Sequence, residues 1–325
     1  MKAFITGASG FVGGAAVKCL LAEGCEVIAM SRSEKSDQKI RALGATPSRC
    51  DLDTIAATNM SGCEVVIHAA AHVDAWGEPD AWDQANVQGT KNVLAAARAA
   101  GVRRFIHIGT EAALVYGQDL VNVDETTPLA FNSRYPYCRT KALAEQAVLA
   151  ANDPASNFST IVLRPRFIWG PGDTTILPSV LEMAASGKWT WIDHGAAMTS
   201  TTYIDNLVEA IMLARTAGTP GQAYFILDDG NRSMHEVLTA MAATHSVTLP
   251  DRSMPGWLAR ALGTTLEGIW RTFGLKNKPP LTAHEAMVMS RTCTLNGAKA
   301  ARELGYHPKV SVAEGLMAMS SVRSG

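Results

Sequence analysis

Basic residues never cluster in this chain. No run of Lys or Arg exceeds two residues, and 29 basic side chains are offset by 30 acidic ones, for a net charge of −1. With no basic patch, the composition argues against nucleic acid as a partner. The six cysteines (Cys19, Cys25, Cys50, Cys63, Cys138, Cys293) form no Cys-x-x-Cys pair and no metal-ligand spacing. They are expected to be free thiols in a cytoplasmic protein, neither a disulfide framework nor a metal site. No apolar stretch is long enough to cross a bilayer, and Met1 leads straight into a strand pattern that leaves no room for a signal peptide. Charged residues are only 18% of the chain and hydrophobic residues 47%. That composition excludes a disordered polymer, and 325 residues suffice for one large domain or two closely joined ones.

What is present begins at the first residue. Ala3, Phe4 and Ile5 make a short apolar run, and Phe11 to Glu23 carries apolar residues at helical spacing up to a stop at Gly24. Between strand and helix lies Gly7-x-x-Gly10-x-x-Gly13. Glycines there let a loop turn tightly beneath a ligand, and the helix start offers free N–H groups to a phosphate. Three glycines alone are weak evidence. Set between a strand and a helix, they point to a dinucleotide.

Further strands are expected at Glu26 to Met30, up to Cys50-Asp51-Leu52, at Val65 to Ala71, at Arg104 to Thr110 and at Thr160 to Phe167. Helices are expected between them, including a long one over Asp80 to Ala100 and another over Tyr135 to Ala151. This alternation implies a doubly wound parallel α/β sheet of the Rossmann type. After Gly170-Pro171-Gly172-Asp173 the rhythm breaks. The expected organisation is a dinucleotide-binding part over 1–168, with 203–230 returning to it. Residues 169–202 and 231–325 form a smaller α+β substrate-binding cap.

The second motif is Tyr137-Cys138-Arg139-Thr140-Lys141. Positions i and i+4 share a helix face, so phenol and ammonium point the same way, and a nearby cation should favour the phenolate. Such a phenol exchanges a proton with an alcohol or ketone. A hydroxyl to polarise the substrate oxygen is expected at the end of the strand Arg104 to Thr110. Counted from the strand it is Thr110; counted back from Val115-Tyr116-Gly117 it would be Ala112, which cannot serve. The strand-side count is adopted because loops absorb insertions. Glu111 is then read as a loop carboxylate, not a catalyst.

Together these motifs resemble the extended short-chain dehydrogenase/reductase superfamily. A narrower resemblance covers nearly the whole chain. It is to the 3β-hydroxysteroid dehydrogenase family and the bacterial β-keto-acid reductases of olefin biosynthesis. It rests on Ala70-Ala71-His72-Val73-Asp74-Ala75-Trp76-Gly77, Asn86-Val87-Gln88-Gly89-Thr90, Leu163 through Asp173, Thr202-Tyr203-Ile204-Asp205-Asn206 and Ala301 through Pro308. The resemblance implies hydride transfer between a nicotinamide and a hydroxyl or keto carbon of an apolar substrate. It assigns catalysis to Thr110, Tyr137 and Lys141. Cofactor contacts would come from Gly7, Ser9, Gly10, Phe11, Val12, Gly13, Ser31, Arg32, Asp51, Leu52, Ala69, Ala70, Ala71 and Pro165, with Tyr137 and Lys141 again; no metal is implied. Met30-Ser31-Arg32-Ser33 has a guanidinium and no acid where the second strand ends. That favours NADP(H), with NAD(H) as the alternative.

Two other readings compete. Sugar-nucleotide epimerases and dehydratases share the superfamily, but residues 196–201 lack the arginine they use for a diphosphate, and Thr110-Glu111-Ala112 supplies one acid where a dehydratase carries two. A non-catalytic cofactor sensor is the other; such relatives typically lose the Tyr or Lys, and both are kept here. Residues 174–200 hold a single Lys or Arg, Lys188, among tryptophans and methionines, as suits an apolar ligand. Met254 to Phe273 shows an apolar stripe of Trp257, Leu258, Ala261, Leu262, Leu266, Ile269, Trp270 and Phe273, with Arg260, Thr264, Glu267 and Arg271 opposite. It reads equally as a substrate lid or a core helix. A membrane-surface role is disfavoured, since only Arg260 and Arg271 flank the stripe. A homodimer is compatible with the sequence, and an integral membrane segment is not.

Overall fold

The computed structural model describes residues 1–321; 322–325, at the end of the expected cap, lie outside the described residues. Seven parallel strands form the main sheet: β1 (Lys2–Thr6), β2 (Glu26–Ser31), β3 (Thr46–Arg49), β4 (Val65–His68), β5 (Arg104–Ile108), β6 (Ser159–Pro165) and β7 (Gln222–Ile226). Their order is β7-β6-β5-β4-β1-β2-β3. This is the expected doubly wound α/β fold. Both faces of such a sheet are covered, so its inner strands read as near-continuous apolar runs, unlike edge strand β3, Thr46-Pro47-Ser48-Arg49. On one face α1 (Phe11–Ala22) and a helix at Ile204–Ala214 pack Ala16, Val17, Leu20, Leu207 and Ile211 against the sheet. The other face is covered by Val93, Leu94, Ala97, Val148 and Phe158. All six cysteines are free thiols.

The helix expected over Asp80 to Ala100 is present but not regular. Pro79–Trp82 and Gly89–Ala99 are α-helical, and Asp83–Gln88 between them is a π-helical turn. The wider turn brings Asn86 where it can hold neighbouring backbone. Its Oδ1 accepts from the His72 N–H at 2.7 Å, and its Nδ2 donates to the His72 carbonyl and to Thr140 Oγ1. The loop after β4 is thereby tied to the helix Pro136–Ala150.

Beyond β6 the chain builds short strands. Arg232–Ser233, Met198–Thr199, Cys293–Leu295 and Leu120–Val123 pair into a second, four-stranded sheet in that order. Leu120–Val123 thus joins the cap although it lies within 1–168. Conversely Leu304 and Tyr306, expected in the cap, are buried in the same core as the main sheet. The helix expected near 254–273 is Gly256–Thr272; Leu266 and Trp270 of its stripe are half-buried, but most of the stripe faces outward. Ala259 and Gly263 are buried against the helix Ala283–Ser290, Glu267 faces inward, and Trp257, Leu258, Leu262, Ile269 and Phe273 are exposed. Small residues allow the close helix approach, so the large apolar ones remain outside. Among the described residues no helix is long and apolar enough to cross a membrane.

Candidate active site

The glycine loop joins β1 to α1. Gly7 has a left-handed φ of +73°, and a Cβ there would stand 2.9 Å from the Ala69 carbonyl carbon and the Ala70 nitrogen. On Gly13 it would come within 2.3 Å of the Gly7 carbonyl oxygen. Neither position accepts a side chain without moving backbone. The start of α1 has no side-chain cap and no acid in its first turn. Its N–H groups and positive dipole end therefore suit the phosphates of a dinucleotide. Gly7, Gly10, Phe11, Val12, Gly13, Ala69, Ala71 and Pro165 line one cavity of about 550 Å³ that also takes in Thr110 and Tyr137. Ser9 instead lines a wider cleft beside α1. The Ala70 N–H is spent on Thr6 Oγ1 at 3.1 Å.

The four residues expected at the adenosine end lie around the ends of β2 and β3, outside that cavity. Ser31 is buried, its hydroxyl donating to the Ser33 carbonyl at 3.1 Å. Arg32 is exposed and makes no ion pair or hydrogen bond among the described residues. Arg49, in register with Ser31 on the neighbouring strand, is taken up by Asp37 and Glu34. Asp51 Oδ1 accepts from the Thr54 hydroxyl and from the N–H groups of Thr54 and Asp53, which holds its carboxyl below the usual range. Leu52 packs beneath Gly89, where a Cβ would touch it at 2.8 Å.

At the reacting end, Tyr137 and Lys141 stand one turn apart on Pro136–Ala150. Lys141 is buried and its Nζ donates to the Ile108 carbonyl at 2.9 Å. Burial pushes its pKa down to about 8, with Glu145 opposing. Glu145 is itself held by a buried ion pair with Arg164. The expectation that Lys141 would favour the Tyr137 phenolate is not met. Burial, then the Glu111 carboxylate, raise the phenol above its ordinary value, and a hydrogen bond with Thr110 opposes them only weakly. At neutral pH the phenol keeps its proton.

Thr110 lies where the strand-side count placed it, and its hydroxyl donates to Glu111 Oε2 at 2.7 Å. Glu111 is more than a loop carboxylate. It is buried, lines the cavity, and its other oxygen forms an ion pair with the buried Arg166, whose Nε donates to Thr199 Oγ1 at 3.0 Å. Tyr137, Thr110, Glu111 and Arg166 thus form one connected polar cluster. With both oxygens of Glu111 engaged, it is not placed as the free acid of a dehydratase.

Sequence reasoning also missed the wall opposite. His284, Met287, Val288 and Arg291 lie at i, i+3, i+4 and i+7 along Ala283–Ser290 and its C-cap, and all four line the cavity. The His284 ring sits edge-on to Tyr137 with centroids 5.8 Å apart. The signal was readable: Thr282-x-x-Glu285 forms a capping box that starts this helix. Val73, Val115, Leu120, Phe167, Ile168 and Ile176 make much of the remaining wall apolar, with Gln118, Thr174, Thr175 and Thr292 among them.

Residues 4–255 match the model of the 3-beta hydroxysteroid dehydrogenase/isomerase family. The chain belongs to this family. It is an NAD(P)-dependent oxidoreductase of the extended short-chain type, as the sequence resemblance implied. The chain is 39% identical over 321 residues to a 4-hydroxy-2-methyl-3-oxo-4-farnesyl-3,4-dihydroquinoline-1-oxide ketoreductase of Stigmatella aurantiaca, covering 98% of this chain and 96% of the relative. It is 36% identical over 326 residues to a 2-alkyl-3-oxoalkanoate reductase of Stenotrophomonas maltophilia, covering 97% of each. A dTDP-glucose 4,6-dehydratase structure from Streptomyces venezuelae superposes with a TM-score of 0.76 at 22% identity, over 100% of this chain and 98% of that one. That likeness concerns the fold alone.

Proposed function

We propose that this enzyme reduces a ketone whose neighbouring carbon bears a long apolar branch, using NADPH. The observation that carries this reading is the cavity in which the glycine loop, Thr110 and Tyr137 meet beneath apolar walls. The names of the two relatives supply the branch: a 3-oxo group beside a 4-farnesyl carbon in one, and beside a 2-alkyl carbon in the other. A nicotinamide coenzyme held by Gly7, Gly10 and Gly13 would supply the hydride for the reacting carbon. Tyr137, protonated at neutral pH, gives its proton to the carbonyl oxygen as the alcohol forms. Thr110 holds the phenol in place, and Glu111 fixes the Thr110 hydroxyl by accepting its hydrogen bond. Lys141, anchored on the Ile108 carbonyl one turn from Tyr137, would hold the cofactor's ribose hydroxyls. The unpaired Arg32 guanidinium is the partner for a ribose 2′-phosphate.

The test is to follow coenzyme oxidation and the reduced product with a 2-alkyl-3-oxo compound and with its unbranched analogue, each with NADPH and NADH. The reading expects faster turnover of the branched ketone, and of NADPH. Equal rates for branched and unbranched ketones would remove the substrate assignment.

A further inference from the structure

The helix Gly256–Thr272 holds to Ala283–Ser290 by small and polar contacts. Gly256, Ala259 and Gly263 are its buried residues, Arg260 Nη1 donates to Ser290 Oγ at 2.8 Å, and the Ala283 N–H donates to Glu267 Oε1 at 2.8 Å. The outward face is apolar. Trp257 and Phe273 are 67% and 74% exposed, and Leu258, Leu262, Ile269 and Leu275 each expose more than a third of their surface. At about 100° per residue, the arc running from Trp257 round to Phe273 contains no charged residue. Even its threonines are satisfied within the helix. Thr265 and Thr272 donate to the carbonyls of Ala261 and Gly268 at 2.9 and 2.8 Å. A contiguous apolar surface of this kind marks a place of interaction.

Charge indicates what covers it, and with the stripe exposed and Lys276 beside it, the membrane-surface role that two flanking arginines disfavoured is open again. In a chain of net charge −1, residues 255–280 carry Arg260, Arg271, Lys276 and Lys278 against one acid, Glu267, which is turned inward. Lys278 pairs with Glu285. Arg271 and Lys276, at the helix's C-terminal end, are exposed and form no salt bridge among the described residues. A second copy seated here would set one positive patch against another, whereas anionic headgroups would neutralise both cations. The helix also reaches the loop that lines the active cavity. The Arg271 guanidinium lies 4.6 Å from the Trp76 ring, and the same loop carries Val73, which is 55% exposed and lines the active cavity.

We propose that Gly256–Thr272 docks the enzyme on an anionic lipid surface, lying in the interface with its apolar face toward the acyl chains. An apolar substrate then reaches the cavity from the lipid, past Val73. The experiment is flotation of the full-length protein with vesicles of phosphatidylcholine alone and of phosphatidylcholine with about one-third phosphatidylglycerol. Binding to the anionic vesicles is expected to be at least tenfold stronger and to fall with added salt. The double variant Leu262→Glu/Ile269→Glu should lose at least tenfold of it with an unchanged melting temperature, because both side chains already face water. Lys276→Glu, which leaves the apolar face intact, should weaken only the anionic preference. Absence of vesicle binding, or equal binding by the double variant, overturns the proposal. So does a double variant that turns a dimer into monomers while its vesicle binding persists; the face would then belong to a second copy. Flotation needs no turnover, so it is judged separately from the proposed reaction.

Discussion

Replacing Arg166 with methionine isolates the energetics of the polar cluster beneath the cavity. Arg166 and Glu111 are both buried, and each is the other's only ion-pair partner among the described residues. Removing the guanidinium leaves the Glu111 carboxylate out of water with only the Thr110 hydroxyl to solvate it. Breaking a buried pair from one side typically costs about 3–5 kcal/mol, because one charge is left uncompensated. Removing both charges, in Glu111→Gln/Arg166→Met, should recover most of that loss, since two desolvated charges are replaced by neutral groups of similar volume. Urea unfolding of the two single variants, the double variant and the parent closes the cycle. The Glu111 charge also helps hold the Tyr137 phenol above its usual pKa. Glu111→Gln should therefore move the alkaline limb of the kcat profile for ketone reduction to lower pH. An Arg166→Met variant within 1 kcal/mol of the parent, taking ~1 kcal/mol as a single ordinary hydrogen bond, would refute the argument. A double variant as damaged as the single one would refute it too.

Tyr137→Phe should leave coenzyme affinity nearly unchanged and lower turnover by about 10²–10⁴-fold, the usual effect of losing a general acid; titration and rate measurement together check it. Arg32→Ala should weaken NADPH by about 1.5–3 kcal/mol, as for a hydrogen bond to a charged group, and hardly alter NADH; equal losses by calorimetry would reject Arg32 as the discriminator. Lys141 has its folded-state pKa lowered from 10.5 to about 8. Between those values the unfolded chain holds a proton that the folded chain has released, so this group's contribution to stability rises with pH from about 8 to 10.5. Urea midpoints of the parent and Lys141→Met should thus converge, or move in the parent's favour, across that window, and parallel pH curves would contradict the assignment.

The sheet was legible because its inner parallel strands, buried on both faces, leave apolar runs, and the glycine spacing marked where β1 gives way to α1. Thr110, Tyr137 and the glycine loop meet at one cavity because strand ends and helix turns fix geometry over a few residues. What failed was long-range. Nothing local announces that Glu111 meets Arg166, 55 residues on, or that burial outweighs Lys141 in setting the phenol. The Gly256–Thr272 stripe misled because periodicity gives the phase of an apolar face but not its direction. Ala259 and Gly263, the small residues within that pattern, were the better guide to the buried side. The π-turn at Asp83–Gln88 left no periodic signature, only the polar residue Asn86 inside a helix.

The central claim is tested most directly by incubating the enzyme with NADPH and a 2-alkyl-3-oxo compound, then quantifying the alcohol by mass spectrometry against coenzyme consumed. The account predicts one alcohol formed per NADPH oxidised by the parent enzyme, and a rate at least 100-fold lower for Tyr137→Phe, the lower bound of about 10² for a lost general acid. Coenzyme oxidation without alcohol, or a Tyr137→Phe enzyme as fast as the parent, would contradict it.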